Sequence, residues 1–262
     1  MIIKGLDELR GHLPELNSTS GRVRIALTAL GVFALTTAYF IVSDQIPTWT
    51  IDSEIVVLAI GFMVFSLFFS GRTAYRAKYG DAAYRHACLR FALPGLAIIF
   101  AAIAHIAYMN GPKWPAGRVT VGMSILGWYW IIVGAILWFR SAQAFGVDYL
   151  TMLYVYFPEN GRINNSTIYG ILRHPIYAAA LRIGIGLALL NTSIYALSFI
   201  PFFLLGFTGW VRLVEEKELL GRFPGYADYR KHVPAFWTKP TDIPKFWGFL
   251  LSGDSLPSKP AS

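Results

Sequence analysis

Two short polar strings interrupt the largely apolar second half of this 262-residue chain. The first is Tyr169-Gly170-Ile171-Leu172-Arg173-His174-Pro175-Ile176-Tyr177. The second is Arg212-Leu213-Val214-Glu215-Glu216-Lys217-Glu218-Leu219, followed by Phe223-Pro224-Gly225-Tyr226 and Tyr229. Pro175 fits the first turn of a helix, where its missing N–H is no loss. Arg173 and His174 then stand at a helix N-terminus, where free backbone N–H groups and the helix dipole favour an anion. Glu215 and Glu216 supply the opposite sign, suited to an ammonium or a sulfonium. A zwitterionic amino acid carrying a cationic sulfur matches both halves. Either string alone also suits a helix end among phosphate headgroups; their pairing is what favours a ligand site.

That pairing needs elements to produce it, and the composition says which. The chain is 55% hydrophobic and only 15% charged, against about a quarter charged in soluble domains, and its mean hydropathy is +0.48. Long apolar blocks cover residues 25–42, 55–70, 91–109 and 119–139, and two more follow a polar region at 176–190 and 195–211. Blocks of this kind read as transmembrane helices. The expected fold is an all-α polytopic membrane protein of about six apolar helices. Its last two form a helical hairpin, which carries both polar strings to one membrane face. The block at 176–190 is short, about 22 Å as a helix against a core of about 30 Å. Either it starts earlier or the last pair does not fully cross, and Pro201 is expected to bend the return helix.

The net charge of +8 reports loop placement, not a nucleic-acid partner. Arg72, Arg76, Lys78, Arg85 and Arg90 crowd the link 72–90, whereas the link 44–54 has no Lys or Arg. By the positive-inside tendency, both termini, the 72–90 link and the region 140–175 are cytoplasmic, and so is the pocket. Asp7, Glu8, Arg10 and Glu15 interrupt any apolar signal stretch. Ile2, Leu6, Leu9, Leu13 and Leu16 recur at roughly helical spacing, an interfacial amphipathic pattern. Trp49 and Trp114, with Trp138 and Trp210, fit an aromatic belt at the two boundaries. Residues after Leu256 read as a disordered tail.

Arg173-His174-Pro175-Ile176-Tyr177, then Glu215-Glu216-Lys217-Glu218-Leu219, then Phe223 and Tyr226-Ala227-Asp228-Tyr229 running to Val233-Pro234, together resemble the isoprenylcysteine carboxyl methyltransferase and phospholipid methyltransferase superfamily. The shared pattern is a Tyr before R-H-P-x-Y, a helical hairpin, E-E-x-x-L, and an aromatic Y-x-x-Y ending in V-P. It covers roughly residues 145–234. The resemblance implies a cytoplasmic pocket for S-adenosylmethionine lined by Tyr169, His174, Pro175 and Tyr177, with Glu215 or Glu216 on the cofactor's amino group. It also implies that Arg173 and Arg212 orient carboxylate groups, and that a hydrophobic or lipid-linked substrate reaches the pocket between helices from the surrounding lipids. No metal is implied. Three divisions follow: an N-terminal segment with four helices (1–139), a methyltransferase core (140–235) and a C-terminal cytoplasmic tail (236–262). The chain departs from the family at Thr167-Ile168, where Gly-Pro is usual, and at residues 161–165, where a His and Leu-Val are usual.

Methyl transfer from a sulfonium is an in-line displacement, which asks mainly for position and desolvation. A carboxylate acceptor needs no base; an amine or thiol would draw on Glu216 or His174. Arg182 lies within an apolar helix, where a central Arg costs ~2.5–3.5 kcal/mol on insertion scales. Contact with an anionic substrate headgroup and snorkelling to the surface are the two readings. His105 reads as a hydrogen-bonded packing residue, and Cys88, the single cysteine, as inert. Asn165-Ser166-Thr167 and Asn191-Thr192-Ser193 match the glycosylation pattern by chance. Two other classes compete. A sterol-type reductase using NADPH shares R-H-P-x-Y, but Ala178-Ala179-Ala180 and Glu215-Glu216 stand where its own motifs belong. A transporter or scaffold would show repeats, and none is evident.

Overall fold

The computed structural model describes residues 4–161 and 167–252, so Ile2, the Asn165-Ser166 pair and the tail after Leu256 lie outside the described residues. The described chain is helical, with a single isolated bridge between Lys113 and Ser193. A short amphipathic helix α1 (Leu6–His12) precedes α2 (Thr19–Ser43) and α3 (Thr50–Ser70). The basic link expected after α3 is itself helical: α4 (Arg72–Tyr79), α5 (Ala83–Ala87), a π-helical turn at Cys88–Ala92, then α6 (Leu93–His105). Helix α7 (Arg118–Phe145) leads through two single turns, α8 (Val147–Leu150) and α9 (Leu153–Tyr156), toward the first polar string. The hairpin is α10 (Pro175–Asn191) and α11 (Ile194–Trp210). A second π turn (Val211–Glu215) joins α11 to α12 (Glu216–Arg222), and α13 (Tyr226–His232) and α14 (Ile243–Ser252) close the chain.

Among the described residues, five stretches have the length and hydropathy to cross a bilayer: α2, α3, 72–105, α7 and 194–222. Helix α10, at 17 residues, falls below that length, about 25 Å at 1.5 Å per residue. This is a multi-pass integral membrane protein. Helix α2 is almost wholly unburied along its apolar window, as expected where lipid covers the face that water would otherwise meet.

Helices α7 and α10 approach closely because small residues face each other. A Cβ on Gly127 would stand 2.9 Å from the Gly186 carbonyl oxygen, and one on Gly186 would stand 2.7 Å from the Gly127 carbonyl. Gly134 meets the Ala179 carbonyl in the same way. Small residues let helices in lipid gain dispersion contacts that no hydrophobic effect supplies there. The contact seats the Arg-His-Pro string, which begins α10, against the body of the protein.

The molecule has two polar ends. At one, Arg72 Nη1 reaches the Val155 carbonyl and Glu218 Oε1, each at 3.3 Å, so the basic link and the second polar string share an end. At the other, buried His105 lies 2.6 Å from Glu54 Oε2 and 3.0 Å from Asp44 Oδ2 and stacks on Phe40 at 4.0 Å. Asn191 is buried beside that end and donates to the carbonyls of Ile106 and Met109. Its amide is committed to closing the hairpin tip.

Candidate functional site

The hairpin brings the two polar strings into contact. His174 caps the start of α10 with its ring between two carboxylates: Nδ1 lies 3.5 Å from Glu215 Oε1 and Nε2 lies 3.2 Å from Glu216 Oε1. Burial works against protonation of His174, but the hydrogen bonds to Glu215 and Glu216 outweigh it and raise its pKa above the usual 6.5. Arg173 Nη2 and Nε meet Glu216 Oε1 at 2.6 and 3.0 Å. Arg173 Nη1 donates to the carbonyls of Arg230 and Val233. The backbone N–H groups of Arg173 and His174 donate to Pro234 and Ala235. The anion drawn to this helix start is therefore the chain's own Glu216, whose other oxygen faces Arg230 Nε at 3.1 Å.

Glu215 is differently placed. One oxygen faces His174; the other, Oε2, is shut off from solvent with no hydrogen-bond partner. The hydroxyl of buried Tyr169 is also unpartnered, while the Tyr169 carbonyl accepts from Tyr229 at 2.5 Å. Both Glu215 and Tyr169 line a cavity of about 360 Å³, together with Arg173, His174, Pro175 and Tyr177. Apart from Glu218 and Arg222 of α12, the rest of its wall is mainly aromatic and aliphatic, from α3, α6, α7, α9 and α11. A buried carboxylate oxygen and phenol without partners cost free energy unless a ligand donates to them. An ammonium group supplies what they lack, and the volume lies in the range of small-molecule sites.

The π turn explains why two adjacent acids both face inward. Trp210 and Val211 are buried, and in an ordinary helix the next inward pair would be Val214 and Glu215. The widened turn advances the inward face by five residues, to Glu215 and Glu216. Such bulges concentrate at functional sites.

Two expected site residues lie away from the cavity. Arg212 is exposed and does not line it. Arg182 is buried, neither snorkelling nor at the cavity: Nη1 donates to the carbonyls of Ala178 (2.8 Å) and Phe236 (3.1 Å), and the guanidinium lies over Trp237, Phe246 and Trp130 at 4.8, 5.6 and 5.9 Å. The belt reading also changes at the inner boundary. Trp210 is buried, stacks on Phe65 at 4.9 Å, donates to Ser66 Oγ and lines the cavity, as does Trp138. Trp49 and Trp114 are exposed, as a belt requires.

Reading motifs missed the contribution of residues 145–155. Phe145 packs on Tyr169 at 4.5 Å, and Tyr149, Met152 and Tyr154 complete the wall. Their signal is only an aromatic cluster after a long apolar helix. Thr167, which stands where the resembled family has Gly, adopts a positive φ of 52°. That conformation is uncommon for a β-branched residue and natural for glycine.

An integral membrane bundle with a mainly apolar cavity that carries a few charged groups at one end is the class that fold and site define. The sequence model of the phospholipid methyltransferase family matches residues 123–224, from within α7 through α12. The matched stretch contains both polar strings. Comparison with curated proteins and with solved structures gives no match.

Proposed function

We propose that the cavity binds S-adenosylmethionine with its amino group on Glu215, and that the chain moves the methyl group to a hydrophobic or lipid-like acceptor arriving from the bilayer. The observation that carries this is the unpartnered Glu215 Oε2, buried beside the unpartnered Tyr169 hydroxyl in an aromatic cavity within the family-matched stretch. When bound, the cofactor supplies a methyl group made electrophilic by its positive sulfur. Glu215 and Tyr169 orient the amino end. Tyr177 and Trp210 exclude water and offer π faces to a cation. Glu216 and Arg173 act by position: they hold His174 and the 230–235 segment, and through them Glu215.

Both ring nitrogens of His174 face carboxylates, and Glu216 is engaged by Arg173 and Arg230. Neither is free to take a proton from the acceptor, so the site favours an acceptor already ionised, such as a carboxylate. The concentration of Arg at this end supports a cytoplasmic orientation, where the cofactor is available.

The test is ligand-dependent thermal stability of the detergent-solubilised protein. S-adenosylhomocysteine raises the melting temperature and NADPH does not, and Glu215→Gln weakens S-adenosylhomocysteine binding by about tenfold or more, the scale of a charge-assisted hydrogen bond. Stabilisation by NADPH alone would move the reading to a reductase.

A further inference from the structure

The cavity has a second polar station, one turn and more beyond Glu215 along α12. Glu218 and Arg222 line it too. Arg222 Nη2 reaches back to Glu218 Oε2 at 3.1 Å, in the direction helical side chains lean. Arg72 Nη1 approaches the other Glu218 oxygen at 3.3 Å. Two guanidiniums thus share one carboxylate. Of the acids nearby, Glu159 faces Arg76 at 3.9 Å, and Glu215, which also attracts Arg222, is shared with His174. The Arg222 side chain is 9% exposed, and its Nε is closed to solvent with no partner. Phe223 covers the guanidinium at 4.6 Å. A buried guanidinium with an unused donor, sharing its one close carboxylate with a second guanidinium, is a site for a planar anion.

The geometry points to Arg222 as the binder of an anionic group, a carboxylate or a phosphate, on a ligand held in this cavity. The inference rests on the cavity being the ligand site proposed above. Two sources share that chemistry: the carboxylate of the cofactor, and an acidic head on the acceptor. Glu218 is then a removable competitor for the same guanidinium.

Binding of two pairs of probes to the full-length protein tests this. One pair is S-adenosylmethionine and its decarboxylated form; the other is oleate and methyl oleate. Arg222→Gln should lose affinity about tenfold for the charged member of one pair and leave the neutral member unchanged, and the pair affected identifies the source. Glu218→Gln should raise affinity for the same charged probe, so the proposal stays testable if Arg222→Gln fails to fold. The proposal is overturned if both members of both pairs bind Arg222→Gln as they bind the wild type, or if Glu218→Gln lowers stability without raising affinity for either anion. Failure of the wild type to bind S-adenosylmethionine would sink the methyltransferase reading, while the oleate pair would still decide the role of Arg222.

Discussion

Glu215 and Glu216 are neighbours with different partners, and the difference separates binding from support. Glu216 is surrounded by Arg173, His174 and Arg230, whereas Glu215 keeps an oxygen for the cavity. His174 links the two, and its pH behaviour follows. Its pKa in the folded protein lies above the ordinary value of 6.5 because two carboxylates outweigh burial. The imidazolium therefore contributes its full stability below the unfolded value, and that contribution is lost as pH climbs through the raised folded value. His174→Gln should cost on the order of 3 kcal/mol near pH 6, the scale of breaking a buried ion pair. The cost should shrink in alkaline solution, read as the gap between wild-type and variant melting temperatures across the titration. A gap that widens with pH would mean a neutral His174. The Arg-His-Pro and Glu-Glu strings were legible in the sequence, because charges beside apolar helices need a reason. Which acid stays free was not legible, since it depends on a π turn that no local pattern announces.

Elements decide whether these residues meet. The hairpin was readable from two apolar blocks with a short uncharged turn, and the close packing of α10 on α7 was not, because glycines in apolar helices have many uses. At Gly186 a Cβ would press on a backbone carbonyl, which cannot move aside as a flexible side chain can. Gly186→Ala is expected to cost about 1–3 kcal/mol. The measurement is thermal unfolding in detergent, with Gly122→Ala, which meets open space, as the unaffected control. Arg182 belongs to this scale as well. It clamps the Phe236 carbonyl, and the carbonyls of Pro234 and Ala235 in turn accept from Arg173 and His174. Arg182→Leu should lower stability by about 1–3 kcal/mol by leaving the buried Phe236 carbonyl without its donor. It should leave the apparent affinity for acceptor unchanged in the folded fraction. A selective loss of acceptor affinity would restore the headgroup role. The sequence showed only that this Arg must face something polar; the aromatic box comes from α7 and from residues 237 and 246, far along the chain.

Across the whole molecule, the two polar ends divide the labour. One holds His105 between Asp44 and Glu54 and ties α2, α3 and α6 together; the other holds the cavity and the segment before α2. There Lys4 bonds the backbone at Ala144 and Val147, and Glu15 pairs with Arg85 and Arg24. Leu9 and Leu13 are buried in the hydrophobic core, which replaces the purely interfacial placement that the Leu spacing suggested. What this arrangement is for is settled most directly by following a label. Wild-type protein in liposomes of bacterial or eukaryotic lipid extract, given S-adenosylmethionine labelled on its methyl group, should transfer label to an organic-extractable acceptor. Glu215→Gln, folded to the same extent, should transfer at least about tenfold less at limiting cofactor. Equal labelling by the two proteins, or none by the wild type in any acceptor pool, would contradict the account.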